Sequence, residues 1–231
     1  MKLTPRLQTI ANHIPQNTIC GDIGTDHAYI PIYIVENKIS KKVIATDINK
    51  GPLAIANKQI KLAGLEKQIE TRLGNGLQPI EPYEVETIVI AGMGGLLIKD
   101  ILDTTKHITN SIKTFILQPM IAQRELREYL IYNNFKIINE DLAQENQRIY
   151  EIIIATKGKQ NIEIEKDIYL DIGKPLIENK HPLLSSLINF KRNELLKIIH
   201  QCEGKNSANA EDRIRECINK LNDLKEVEKC L

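Results

Sequence analysis

An α/β fold is what this sequence predicts over most of its length: an open, largely parallel sheet with helices on both faces, followed by a separate helical segment. Three observations carry that reading. Short β-branched runs alternate with stretches of helical periodicity between residues 17 and 132, the pattern of strands joined by crossover helices. The last two strand-like runs, 135–142 and 148–156, have no helix between them, so they should pair antiparallel at one edge. Beyond residue 157 the strand-like runs stop, and apolar residues recur every three or four positions.

The elements follow in order. Thr4 and Pro5 read as an N-cap with proline at the first helical position, and Leu3, Leu7, Ile10 and Ile14 continue at helical spacing. A strand over 17–21 then feeds a turn rich in Gly and Asp, and 27–36 reads as helix. The short run 42–46 is a second strand, followed by a helix from about 51 to 61 that stops near Gly64. Runs 69–73, 87–91 and 114–117 read as buried strands, with helices over 96–106 and 121–132. Residues 143–147 read as the turn joining the closing pair. In the tail, Leu184, Leu187, Leu195, Ile198 and Cys202 form one stripe, and Ile214, Cys217, Leu221 and Leu224 form a second. The EGKNS segment breaks them apart, with Gly204 as C-cap and Ser207 as N-cap, which suggests a helical hairpin of coiled-coil character. The division expected is a ligand-binding domain over 1–156 and a helical domain over 157–231.

Composition narrows the function classes. With 31 Lys and Arg against 30 Asp and Glu, the net charge is only +1, so there is no general electrostatic footprint for nucleic acid. RNA contact would have to come from local cations, for which Lys191, Arg192, Lys197, Arg213, Arg215 and Lys220 of the tail are candidates. No apolar run reaches the roughly 18 residues needed to span a bilayer, and the N-terminus lacks the apolar region of a signal peptide. Cys20, Cys202, Cys217 and Cys230 make no metal-type pair. Together these favour a cytoplasmic chain with reduced thiols, without membrane attachment, metal or an evident obligatory protein partner.

The chemistry sits at the predicted strand ends. Gly21-Asp22-Ile23-Gly24-Thr25-Asp26 joins the first strand to its helix, where an open α/β sheet binds ligands. A pyrophosphate there would need positive potential and bare N–H groups, and Asp22 and Asp26 would repel it. The third glycine of the dinucleotide pattern is also missing. S-adenosylmethionine has no phosphate; its ammonium suits Asp22, and its carboxylate suits the helix N-terminus. Asp47, roughly 20 residues past the glycine turn, is placed for ribose hydroxyls, or else serves as an Asx turn. Asn75, within Gly74-Asn75-Gly76-Leu77, is placed to accept from an adenine amino group, or simply forms a Gly/Asn turn. Ala91-Gly92-Met93-Gly94-Gly95 leaves room beside a transferable methyl. Cofactor contacts are therefore expected from Gly21, Asp22, Gly24, Thr25, Asp47, Ile48, Asn75, Gly76, Leu77, Ala91, Gly92 and Met93. Four such elements in order point to a Rossmann-like methyltransferase.

The segments GDIGTDHAYIP, ATDINKGPL, RLGNGL, IVIAGMGG and ILQPM, in that order, resemble the bacterial tRNA (adenine-22-N1)-methyltransferase family, TrmK, over essentially the whole chain. The family usually carries Asp where this chain has Asn75; an amide oxygen still accepts the adenine hydrogen, without charge assistance. The resemblance implies a Rossmann-like catalytic domain with a small coiled-coil domain, and methylation of N1 of an adenosine in tRNA. Adenine N1 has an in-plane lone pair and needs no obligatory base, so positioning and desolvation should dominate. The product ring is cationic, which gives a carboxylate an electrostatic role. Asp26 is the candidate, with His27 and Tyr29 beside it to hold the base; their structural alternatives are helix N-cap, solvated first turn and core packing respectively. The same cofactor loops would also serve a methyltransferase for another RNA, a protein or a small molecule, or a non-catalytic RNA-binding adaptor.

Overall fold

A computed structural model of the chain describes residues 1–158, 166–204 and 207–229. The chain divides into two compact units, Met1–Glu163 and Ile164–Leu231. In the first, α1 (Pro5–Asn12) precedes β1 (Cys20–Ile23), α2 (Tyr29–Glu36), β2 (Val43–Asp47), α3 (Lys50–Leu62) and β3 (Ile69–Leu73). Then come β4 (Thr87–Met93), α4 (Gly95–Thr104), α5 (Lys106–Thr109), β5 (Thr114–Pro119), α6 (Gln123–Tyr132), β6 (Phe135–Glu145) and β7 (Arg148–Lys157). The sheet order is β3-β2-β1-β4-β5-β7-β6, parallel except that β7 runs antiparallel to both of its neighbours. This is the Rossmann-like arrangement the sequence predicts, with its closing pair at the β6 edge.

Side-chain alternation divides the apolar residues between the two faces. Ile88 and Ile90 of β4 pack with Ile98 and Leu102 of α4 and Leu126 and Leu130 of α6. Val89, between them, packs with Ile10 of α1, Ile30 and Ile34 of α2, and Ile60 of α3. The order reverses between β1 and β4, which makes a crevice at the carboxyl ends of these strands.

Three local expectations need correction. The first strand begins at Cys20, not residue 17, because Asn17 takes φ 65° and bonds Ile39 while ladder pairing to β2 starts only at Cys20. Helix α2 begins at Tyr29, not residue 27, because Ala28 is left-handed at φ 56°; Asp26 is therefore not its N-cap. The β6–β7 ladder persists to the Glu145–Arg148 pair, so residues 143–145 are strand and the turn is only Asn146 and Gln147, closed by φ 55° at Asn146. Thr4 does cap α1, its Oγ1 accepting from Leu7 N at 3.5 Å.

One buried polar cluster stands under the β6–β7 edge. Arg127 of α6 donates to Glu140 of β6 at 2.6 Å and to Glu151 of β7 at 2.6 Å, with side-chain exposures of 1%, 1% and 4%. Burial works against the guanidinium's charge, yet the two carboxylates hold its pKa above the ordinary value.

The second unit holds α7 (Ile168–Asp171), α8 (Lys174–Glu178), α9 (Leu184–Cys202) and α10 (Ala208–Glu228). The two short helices carry too few turns to show a periodic stripe, and the sequence pattern does not announce them. Helix α9 packs against α10, with Leu184, Leu187, Cys217 and Leu224 buried, while Leu195, Ile198, Ile214 and Leu221 are half-buried. Gly204 takes φ 79° after α9, and Ser207 Oγ accepts from Ala210 N at 3.3 Å. Residues 205 and 206 of the breaker, and Cys230, lie outside the described residues. No helix among the described residues is long and apolar enough to cross a membrane.

Candidate cofactor and active site

All four predicted elements fall at carboxyl ends of adjacent strands. Asp22 lies in β1 and is buried at 8% exposure. Gly24, just past the strand, takes φ 79°, the left-handed region that favours glycine, and the Met93 methyl occupies the space a β-carbon would take. Gly24 and Thr25 both donate to the Thr46 carbonyl at 2.8 Å, which ties the loop to the end of β2. Burial raises the Asp22 carboxyl to about 6; the Thr25 hydroxyl opposes this, and Asp47 adds to it. The Thr25 hydroxyl is close enough to act on the Asp22 carboxyl, yet its buried Oγ1 is outside hydrogen-bond geometry with any partner among the described residues.

Those features fit S-adenosylmethionine better than a pyrophosphate. A buried carboxylate short of positive charge suits an ammonium, and an orphaned hydroxyl suits a polar ligand atom. Two carboxylates close enough to influence each other would instead repel phosphates.

At the end of β2, Asp47 Oδ1 accepts from Asn49 N at 2.7 Å, so the Asx turn forms. That leaves the second carboxylate oxygen for a ligand, and Ile48 beside it is exposed. After β3, Gly76 takes φ 55° and a β-carbon there would sit 2.9 Å from Ile101 Cγ2. Asn75 is exposed, Leu77 is buried, and a cavity of about 80 Å³ is lined by Asn75, Gly76, Leu77, Leu97 and Ile101.

Across the switch point, Ala91, Gly92 and Met93 end β4, with Gly92 exposed at φ 78°. Here two residues stand that the loop pattern did not single out, Arg6 and Gln118. Gln118 is fully buried; its Oε1 accepts from Gly92 N at 3.1 Å and from Arg6 Nη1 at 2.8 Å. The only sequence signal for Gln118 was its place in ILQPM, and Arg6 stands 112 residues away from it. Exposed apolar side chains follow the strands on this half, namely Leu96 and Leu97 after β4 and Met120 and Ile121 after β5. Such clustering of exposed apolar side chains beside a crevice marks a binding surface.

The three candidates for the target base are brought together after β1. Asp26 is exposed, and its Oδ2 lies 3.3 Å from His27 Nε2. His27 stacks on Tyr29 with ring centroids 5.1 Å apart and planes 18° apart. Within a helix, residues two apart do not face each other, so this stack depends on the left-handed step at Ala28. Tyr29 is 43% exposed and is not core packing.

In the helical unit, five of the six candidate cations stand beside carboxylates of the same unit: Arg192 by Glu228, Lys197 by Glu194, Arg213 by Glu216, Arg215 by Asp212 and Lys220 by Asp171. A phosphate at any of them would have to compete with that pairing. Among the described residues no group of three or more His, Cys, Asp or Glu is arranged to hold a metal.

A family model for a methyltransferase domain matches residues 3–153. The tRNA (adenine(22)-N(1))-methyltransferase of Bacillus subtilis is 39% identical over 161 residues, covering 70% of this chain and 68% of that protein. The crystal structure of B. subtilis TrmK, an m1A22 tRNA methyltransferase, superposes with a TM-score of 0.85 at 32% identity, covering 98% of each chain. M. capricolum TrmK, in complex with its cofactor product S-adenosyl-homocysteine, superposes with a TM-score of 0.84 at 29% identity, covering 100% of this chain and 99% of that one.

Proposed function

This chain belongs to the tRNA (adenine(22)-N(1))-methyltransferase family, and from that premise we propose that it methylates N1 of the adenosine at position 22 of tRNA. S-adenosylmethionine, when bound, supplies the electrophilic methyl group. Residues 1–156 form the catalytic domain in this reading, and residues 157–231 form an accessory helical domain. The compartment is the cytoplasm, and tRNA is the one partner the reaction requires. The observation that carries the reading is the buried, charge-starved Asp22 beside the Gly24 turn at the switch point.

Asp22 accepts from the ammonium, and the orphaned Thr25 hydroxyl meets a polar atom of the same ligand. Asp47 takes ribose hydroxyls with the oxygen its Asx turn leaves over, beside Ile48. Asn75 accepts from the adenine amino group, with Gly76 and Leu77 shaping the ring pocket. Gly21, Gly24, Ala91 and Gly92 keep bulk out of the path of transfer, and Met93 closes over Gly24. Because N1 lies on the pairing edge, the target nucleotide must leave its stack, and His27 and Tyr29 offer it a ring surface. Asp26 then faces the charge that develops on the methylated ring.

The direct test supplies labelled cofactor with unmodified tRNA transcript, a protein mixture or small amines. Transfer confined to tRNA is expected; transfer to another class alone contradicts the reading. Asp26→Asn should leave the fold and cofactor affinity near wild type, since Asp26 caps nothing, while single-turnover transfer falls about tenfold or more. Wild-type transfer would remove Asp26 from the chemistry.

Cofactor affinity should also depend on pH. The ammonium pairs with ionised Asp22, whose carboxyl in the free protein titrates near 6. Binding therefore releases a proton below that pH, and affinity should weaken by about tenfold per unit as pH falls beneath 6, with a plateau above it. Calorimetry from pH 5 to 8 reads this, and Asp22→Asn should flatten the profile. A flat wild-type profile would contradict the pairing.

A further inference from the structure

Resting on the tRNA reading, the geometry points to Arg6 as a phosphate-binding residue for the target strand, held over Gly92 by the buried Gln118. Arg6 lies in the first turn of α1, where its backbone N–H donates to Glu145 Oε1 at 2.8 Å. Its guanidinium rests 5.3 Å from the Tyr150 ring centroid and gives one Nη1 hydrogen bond to Gln118 Oε1. Gln118 has little freedom to let go. Its Nε2 donates to the Pro119 carbonyl at 3.0 Å, which fixes the amide so that Oε1 must face Gly92 N and Arg6 together.

The guanidinium stands beside Gly92, where a β-carbon would come 3.7 Å from Arg6 Nη1, so it lies at the end of β4. No other hydrogen-bond acceptor for the guanidinium is found among the described residues, and the residue is half-buried rather than sealed. A planar fork with most of its donors unspent, anchored at one nitrogen, is suited to bidentate phosphate recognition.

Two anions could reach this fork, an RNA phosphate and the cofactor carboxylate, and sheet order favours the first because Arg6 meets only the outermost cofactor element, Gly92. Asp22, Asp47 and Asn75 sit at or just past the ends of β1, β2 and β3, whereas Arg6, Gln118 and Gly92 occupy the β4–β5 half. Asp22 and Asp47 on the first half disfavour a phosphate beside them, which places the phosphate on the second half while the base turns toward His27 and Tyr29. The apolar Leu96, Met120 and Ile121 on that half provide a surface for the strand that flanks the extruded nucleotide. With 17 basic and 17 acidic residues over 1–156, no general field steers RNA to this unit, so individual anchored cations must do so.

The test uses full-length Arg6→Ala and Arg6→Lys proteins and unmodified tRNA transcript. We measure cofactor affinity by calorimetry, tRNA affinity by filter binding across a salt series, and steady-state KM and kcat. Arg6→Ala should weaken tRNA binding and raise the tRNA KM by about tenfold, with the slope of log affinity against log salt shallower by about one. Cofactor affinity should stay at wild type, and Arg6→Lys should restore the salt slope but only part of the affinity, because it keeps the charge and loses the fork. Unchanged tRNA affinity and salt slope in both folded variants would overturn the proposal, as would a loss confined to cofactor affinity. If Arg6→Ala unfolds, Arg6→Lys alone decides: full wild-type tRNA affinity and KM would overturn it. Filter binding needs no turnover, so a wild-type protein that binds tRNA but transfers nothing would fail the functional reading while leaving the Arg6 contact standing.

Discussion

Replacing Asp22 by alanine should cost the protein about ten- to a hundredfold in S-adenosylmethionine affinity, equivalent to about 1.5–3 kcal/mol for one charge-assisted bond. The same side chain is a burden to the free protein. Its folded carboxyl titrates near 6, above the ordinary carboxylate range, because burial disfavours the charge and Asp47 adds repulsion. The folded state therefore holds this proton more tightly than the unfolded chain, and stability falls as pH rises through that range up to about 6. At pH 7 the cofactor-free Asp22→Asn protein should melt no lower than wild type while binding cofactor poorly, the signature of a group kept for function. A folded Asp22→Ala protein with wild-type affinity would place the ammonium elsewhere.

The second large effect concerns stability alone. Arg127→Ala removes the guanidinium that Glu140 and Glu151 share in the core, and losing one partner of a buried ion cluster typically costs about 3–5 kcal/mol. That is much of a typical domain's stability of about 5–15 kcal/mol. Replacing the cluster together, as Arg127→Met with Glu140→Leu and Glu151→Leu, should recover most of the loss, since these three charges are then removed together. Urea denaturation of the single and triple variants reads the difference. A loss under about 1 kcal/mol for Arg127→Ala would show that water or another cation reaches those carboxylates.

The strand and helix order was legible because periodicity is a property of neighbours in sequence. Asp22, Asp47 and the glycines around them were legible for the same reason, as each lies in a short strand-to-helix connection with a distinctive charge. What depended on distant neighbours was not. Nothing in the periodicity singles out Arg127, Glu140 and Glu151, and only the folded β6–β7 edge brings them together. Arg6 falls in the predicted first helix and Gln118 just past the strand predicted over 114–117, and their contact with Gly92 exists only across the sheet. Backbone handedness was equally silent. Nothing in the identity of Ala28 announces φ 56°, yet that step moves the start of α2, frees Asp26 from a capping role and allows His27 to stack on Tyr29.

The central claim is the site of methylation, and primer extension on a treated tRNA transcript tests it most directly. A methyl group at N1 blocks Watson–Crick pairing, so reverse transcriptase should halt at the adenosine at position 22, and a transcript with guanosine there should show no halt and no incorporated label. Label that enters tRNA without this arrest, or an arrest that persists after the substitution, would contradict the account.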